Sequence, residues 1–145
     1  MQLHVIARGR IGRTPEADMV ERYARRIATG PLGALKMTEL PDRGGMVPPV
    51  PAGAMRTVVL DERGRQLGSG EFARLLERWR DDGVREARFL IGAADGHEED
   101  LRARADVLLG FGPMTWPHML ARVMLVEQLW RATSIVSGHP YHREG

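Results

Sequence analysis

Apolar residues along this chain follow two rhythms, and these predict its elements. Five short apolar or β-branched runs, residues 2–7, 35–40, 56–61, 87–91 and 107–111, are bounded by glycine, proline or charge and read as strands. The run Arg56-Thr57-Val58-Val59-Leu60-Asp61 is nearly continuous in its apolar content, as expected of a strand buried on both faces. Between the runs the spacing changes to that of a helix. Met19, Val20, Tyr23 and Ile27 share one helical face, and Phe72, Leu75, Leu76 and Trp79 share another. Thr14 is the expected cap of the first helix, with Pro15 behind it and Glu16 and Asp18 in a first turn where the helix dipole favours acids. Ser69 is the expected cap of the second, which Asp81-Asp82-Gly83 should end, and a short helix is expected over about 98–105.

The last third of the chain follows neither rhythm. From Met119 to Ser137 there is no proline or glycine, and Leu120, Val123, Met124, Leu125, Val126, Leu129, Trp130 and Ile135 cover almost every side of a helix. A helix that is apolar all round is buried all round. A single chain is expected to leave much of it exposed, which argues for a dimer. Pro117 suits the first helical position and Gly138 the stop. Strands alternating with helices predict an α/β fold, one domain over residues 1–145, with a mostly parallel sheet and helices on both faces. Residues 41–54, rich in glycine and proline, should form an irregular crossover loop.

Charge adds a partner class to this picture. The 145-residue chain carries a formal net charge of only +2, yet its pI is about 9.6 because Lys36 is the sole lysine among 21 basic residues. Arginine favours planar, bidentate contacts to phosphate. Arg8, Arg10, Arg13, Arg22, Arg25 and Arg26 make the N-terminal segment the most basic part of the chain, suited either to solvation or to following an RNA backbone. With no cysteine, neither disulfides nor thiolate metal sites are available. The chain has neither the apolar leader of a signal peptide nor an uncharged stretch long enough for a membrane span, so a soluble, cytoplasmic protein is expected.

Candidate chemistry gathers where strands end, because open α/β sheets bind ligands beyond the carboxyl ends of their strands. Three such ends stand out: Leu60-Asp61-Glu62-Arg63-Gly64, Ile91-Gly92 through Gly96, and Phe111-Gly112-Pro113-Met114-Thr115-Trp116. Glycines let a backbone approach a ligand, and the apolar residues can wall a purine-sized pocket. Neither a dinucleotide fingerprint nor a Walker sequence is present. Each residue also has a plainer role: Gly92, Asp95 and Gly96 as turn formers, Met114 and Trp116 as core, His118 as a cap. His139 and His142 are poorly spaced for a helical metal pair and lack a third ligand, so no metal site is expected.

The chain resembles the ribosomal RNA large subunit methyltransferase H family of the SPOUT superfamily. The likeness rests on Leu60-Asp61-Glu62-Arg63-Gly64, Phe89-Leu90-Ile91-Gly92 with Asp95-Gly96, Met114-Thr115-Trp116-Pro117-His118, Ala121-Arg122-Val123, Glu127-Gln128-Leu129-Trp130-Arg131-Ala132 and the tail from Gly138 to Glu144. It also takes in Ile6-Ala7-Arg8-Gly9-Arg10 and Glu21-Arg22-Tyr23-Ala24-Arg25-Arg26, and so spans essentially the whole chain. The resemblance implies a C-terminal trefoil knot, a homodimer, and methylation of N3 of pseudouridine 1915 in 23S ribosomal RNA, within the large subunit or the 70S ribosome. It further implies S-adenosylmethionine as cofactor, held by Leu60, Gly92, Phe111, Gly112, Pro113, Met114, Thr115 and Trp116. Two departures stand out: the loop over 41–54 replaces a charged helix, and Gly92 is followed by Ala93-Ala94 where a second glycine is usual.

An imide N–H is a poor nucleophile until its proton leaves, so methylation at N3 requires a base or a cationic surrounding. The tail offers His142 as acid–base group, with His139, Tyr141 for stacking or hydrogen bonding, and Arg143 for phosphate or an imide oxygen. Arg122 and Glu127 read as polar anchors within the helix or between subunits. Alternative readings are a SPOUT methyltransferase acting on transfer RNA, a non-catalytic RNA-binding ribosome-maturation protein, and a flavodoxin-like nucleotide-binding domain.

Overall fold

The computed structural model describes residues 1–92 and 99–143. Its elements run β1 (Gln2–Arg8), α1 (Pro15–Ile27), β2 (Leu35–Leu40), β3 (Met55–Arg65), α2 (Ser69–Asp81), β4 (Glu86–Ile91), α3 (Glu99–Ala103), β5 (Val107–Leu109) and α4 (His118–Ser137). The five strands form one sheet in the order β2-β1-β4-β3-β5, and every neighbouring pair is parallel. All carboxyl ends therefore lie along one edge.

Side-chain alternation divides the strands between two faces. Leu3, Val5, Ala7, Val58, Ala87, Phe89, Ile91, Val107 and Leu109 meet α1, α2 and α4 through Val20, Ile27, Phe72, Leu76, Trp79, Val123, Leu125, Val126 and Leu129. Ile6, Val59 and Leu90 face the other way, under Leu101 of α3 and Val47 of the proline-rich loop. That second cover is thin, and it encloses polar groups. His4 Nε2 lies 2.7 Å from Thr38 Oγ1, its Nδ1 lies 3.4 Å from Glu86, and Glu86 pairs with Arg88. Arg88 in turn donates to the carbonyls of Pro48, at 2.7 Å, and Pro49. A buried guanidinium thus holds a loop that has no ladder of its own.

Several boundaries differ from the sequence reading. Thr14 caps α1 as expected, accepting from the Ala17 amide at 3.2 Å. At α2 the cap is Gly68, not Ser69: the Glu71 carboxylate accepts the Gly68 amide at 3.1 Å, while the Ser69 hydroxyl crosses to Gln128 of α4 at 2.8 Å. Pro117 stands just before α4 rather than in its first helical position, and its carbonyl accepts from Ala121 at 2.9 Å. β5 ends at Leu109, so Gly110 and Phe111 belong to the following turn. Gly138 closes α4 in the left-handed region with φ 77°, as a stop signal should.

α4 runs from the carboxyl edge of the sheet to the opposite edge. Near its start, Arg122 donates to the Gly9 carbonyl at 2.9 Å and pairs with Glu39 at 2.6 Å, at the ends of β1 and β2. Near its finish, Thr133 packs so tightly on Gly30 that an added Cβ would lie 2.2 Å from its methyl group. The chain's own α1 and α2 cover most of this helix. The expectation that a single chain leaves much of it exposed is therefore too strong: Leu120 is its one exposed large apolar residue, with Met114 and Trp116 just before it. Among the described residues, no helix is long and apolar enough to cross a membrane.

Candidate functional site

β3 makes an excursion at its carboxyl end. Leu60 and Arg65 both register with Leu109 of β5, so Asp61, Glu62, Arg63 and Gly64 are looped out of the ladder between them. Asp61 Oδ1 accepts the Arg63 amide at 2.8 Å and shapes the turn. Gly64 returns the chain against β5, where an added Cβ would meet backbone atoms of Leu108, Leu109 and Gly110 at 2.6–2.7 Å. Only a glycine allows two backbones that close.

The excursion, the end of β4 and the segment entering α4 surround a cavity of about 670 Å³. Leu60, Ile91, Leu109, Phe111 and Ala121 give it apolar walls; Asp61, Glu62, Arg63, Arg102 and His118 give it charge and hydrogen-bonding groups; Gly92, Gly112, Met114, Thr115, Trp116 and Pro117 complete it. Its size falls in the range of cofactor sites. Trp116 leans back, its indole N–H 3.4 Å from the Phe111 carbonyl, and remains 45% exposed at the mouth. Of the residues expected around a cofactor, seven line this cavity and Pro113 does not. Ala93, Ala94, Asp95 and Gly96 lie outside the described residues.

Charge at the cavity is fixed by pairing. Arg102 Nε lies 2.6 Å from Asp61 Oδ2, and Arg102 also reaches Glu99 at 2.9 Å. Desolvation works against ionisation of Asp61, but the Arg63 amide and the Arg102 guanidinium outweigh it and hold its carboxyl below the usual aspartate value. Glu39 behaves alike: partial burial opposes its charge, and the Ile11 amide with Arg122 overcomes it.

The tail residues gather elsewhere. Tyr141 donates its hydroxyl to Glu127 at 3.0 Å, and the same carboxylate takes Arg131 at 2.5 Å. Trp130 packs edge-on against the His139 ring at 5.5 Å between centroids and tilts against Tyr141 at 5.6 Å. The Arg131 guanidinium stands over the Tyr141 ring, 4.8 Å from its centre. Arg131 Nη1 also lies 3.1 Å from His142 Nδ1. A guanidinium can only donate, so Nδ1 accepts and the ring proton sits on Nε2. Burial, then Glu127 and Tyr23, push the Tyr141 phenol up to about 12, so it stays protonated at neutral pH. Arg143 is exposed beside this cluster, and Glu144 lies outside the described residues.

Within one chain, then, the two groups of expected site residues are not brought together. The tail folds back onto Glu127, Trp130 and Arg131 near the middle of α4, while the cavity is lined by His118 at the start of that helix, a rise of about 14–20 Å along its axis. Arg122 anchors the start of that helix to the ends of β1 and β2, and Glu127, near its middle, holds Tyr141 of the tail. Sequence reasoning passed over Arg102 and Ala121 as cavity residues, since a lone arginine on a short polar helix and an alanine in an apolar one carry no signal. Among the described residues, no three His, Asp or Glu side chains cluster to hold a metal.

Comparison with known proteins agrees with this geometry. Residues 1–142 match the family described as "Predicted SPOUT methyltransferase". The chain is 71% identical over the full length of both chains to a protein of Novosphingobium aromaticivorans named ribosomal RNA large subunit methyltransferase H. Proteins of the same name from Sphingopyxis alaskensis and Zymomonas mobilis are 63% and 55% identical, each alignment covering all of this chain and at least 99% of the relative. With a parallel α/β sheet, a cavity at its carboxyl edge and a family match over nearly every residue, the chain belongs to the SPOUT methyltransferase family.

Proposed function

We propose that this protein methylates N3 of pseudouridine 1915 in 23S ribosomal RNA, within the large subunit or the 70S ribosome, using S-adenosylmethionine and acting as a homodimer. The observation that carries the reading is the convergence of Leu60, Gly92, Phe111, Gly112, Met114, Thr115 and Trp116 on one cavity of cofactor size. The names of full-length relatives supply the RNA class.

The residues present fit the cofactor. Leu60, Ile91, Leu109 and Phe111 suit a purine, the backbones at Gly64 and Gly110 approach closely, and Asp61 and Arg102 offer both charges to a zwitterion. When bound, S-adenosylmethionine supplies a methyl carbon on cationic sulfur, which passes to N3 as the sulfur–carbon bond breaks. The chain's own work is to align, to exclude water and to help the N3 proton leave to solvent; orientation alone contributes about 7–11 kcal/mol. In this reading Arg131 and Arg143 stabilise the imide anion, and His142 beside Arg131 is the acid–base group of the tail. Glu127 and Trp130 hold Tyr141 and His139 in place. Since the tail is held at Glu127 and Arg131, about 14–20 Å along α4 from its own cavity, a partner's tail is taken to complete each site.

The test is radiolabelled methyl transfer to ribosomes and large subunits lacking the modification, with mass spectrometry of the 23S product. Label on N3 of the one pseudouridine is expected. Label on transfer RNA, or none on any RNA while the cofactor binds, refutes the reading.

A further inference from the structure

The cavity contains one feature that purine binding does not use. Asp61 and Arg102 face each other across 2.6 Å, with side chains only 10% and 14% exposed. A pair this dry contributes little net stability, because desolvating two ions offsets most of their attraction. The pair is also incompletely satisfied. Arg102 Nε is buried and, although it lies 2.6 Å from Asp61 Oδ2, makes no well-aligned hydrogen bond. Arg102 Nη1 donates to Glu99, whose side chain is 85% exposed. Among the described residues, no partner takes Nη2. Asp61 is better held, by the Arg63 amide at 2.8 Å. The neighbouring Arg63 side chain is 69% exposed, so Arg102 is the more desolvated of the two arginines in the cavity wall.

Resting on the reading of the methyl donor above, we propose that the Asp61–Arg102 pair recognises the amino-acid end of that molecule. Arg102 takes its carboxylate and Asp61 its ammonium. A planar guanidinium binds a carboxylate through two parallel hydrogen bonds. A zwitterion inserted beside the pair keeps both charges compensated and satisfies the donors that Asp61 leaves unmet. The apolar walls at Leu60, Ile91 and Phe111 remain for the base. In this arrangement the pair selects against neutral adenine nucleosides, which fit the apolar part of the cavity but cannot compensate either charge.

Calorimetric titration of the full chain with three probes tests this. They are S-adenosylmethionine, its decarboxylated analogue, and 5′-methylthioadenosine, which lacks the amino-acid end. The wild type should prefer S-adenosylmethionine over the decarboxylated analogue by about ten-fold or more, the worth of a charge-assisted contact. Arg102→Gln should reduce that preference below about three-fold, Arg102→Lys should keep part of it, and methylthioadenosine should bind all three proteins equally. If Arg102→Gln keeps the wild-type preference, or loses methylthioadenosine in parallel with S-adenosylmethionine, the pair is only a latch for α3 and the inference is overturned. Wild-type protein that binds no S-adenosylmethionine overturns the donor reading and this inference together.

Discussion

If each site takes its cavity from one protomer and its tail from the other, two dead variants should rescue one another. Ala121→Arg places bulk and positive charge in the cavity that is to hold a sulfonium, and His142→Ala with Arg143→Ala disarms the tail. The geometry sets the expected yield. Within a chain the tail, docked on Glu127 and Arg131, lies about 14–20 Å along α4 from the cavity, whereas reacting atoms must come within about 3–3.5 Å. Neither variant alone can then assemble a competent site. Random mixing makes half of the dimers mixed, and each mixed dimer has one intact site of two, so activity should recover to about a quarter of wild type. The assay is methyl transfer to unmodified ribosomes after co-expression or denaturation and refolding of the mixture, with each variant alone as control. A mixture no more active than the sum of its parts refutes assembly in trans. So would an active monomer at concentrations where sedimentation detects no dimer.

Four other outcomes follow from the packing. Arg122→Leu removes a guanidinium that is 1% exposed and leaves the Gly9 and Arg8 carbonyls without a donor; it should cost about 3–5 kcal/mol in urea unfolding, against about 1–2 for Glu39→Gln, whose amide oxygen still accepts. Gly64→Ala forces β3 away from β5 at the cavity floor and should lower stability by about 1–3 kcal/mol and cofactor affinity by about ten-fold in calorimetry. Tyr141→Phe releases the tail from Glu127 and should reduce turnover by about ten-fold with cofactor affinity unchanged; with the phenol up at about 12, wild-type rates should show no tyrosine limb near neutral pH. Burial, opposed by Glu86 and assisted by Lys36 and Arg88, holds His4 below its ordinary 6.5. The unfolded chain therefore takes up the proton first, and stability is complete above about pH 6.5 and declines as pH falls toward the lowered folded value, by at most about 1.4 kcal/mol per pH unit. His4→Gln should flatten that limb in melts between pH 7.5 and 5.5, while the loss from Glu86, whose folded carboxyl lies below 4.5, begins only at lower pH.

What the sequence disclosed and what it hid divide along one physical line. The strands, α1 and the long α4 were legible because period and cap chemistry are local: Thr14 and Gly138 perform in the structure the roles their chemistry suggests. The cavity residues near Leu60, Gly92 and Phe111 to Trp116 were legible because a parallel sheet gathers all its carboxyl ends on one edge. Ser69 was misassigned because its hydroxyl had a better partner 59 residues away, in Gln128. No periodicity encodes such a choice. His4, Glu86 and Arg88 were hidden for the same reason: on strands, polar residues at alternate positions ordinarily signal solvent, and here they face a proline-rich loop whose carbonyls Arg88 satisfies.

α4 joins the two halves of the problem. Its apolar surface suggested a helix needing a partner on every side, and α1 and α2 supply most of that cover from within the chain. What remains exposed is concentrated at the entrance, in Met114, Trp116 and Leu120, beside the cavity mouth. A second copy seated there would cover apolar area and approach the cavity in the same contact. Its tail, fixed by Glu127 and Arg131, would then be positioned by the rigidity of a helix and not by a flexible linker. Packing and catalysis are thereby tied to the same interface: a substitution that weakens the association, such as Leu120→Asp, should lower turnover in proportion to the dimer lost while leaving each cavity able to bind its ligand.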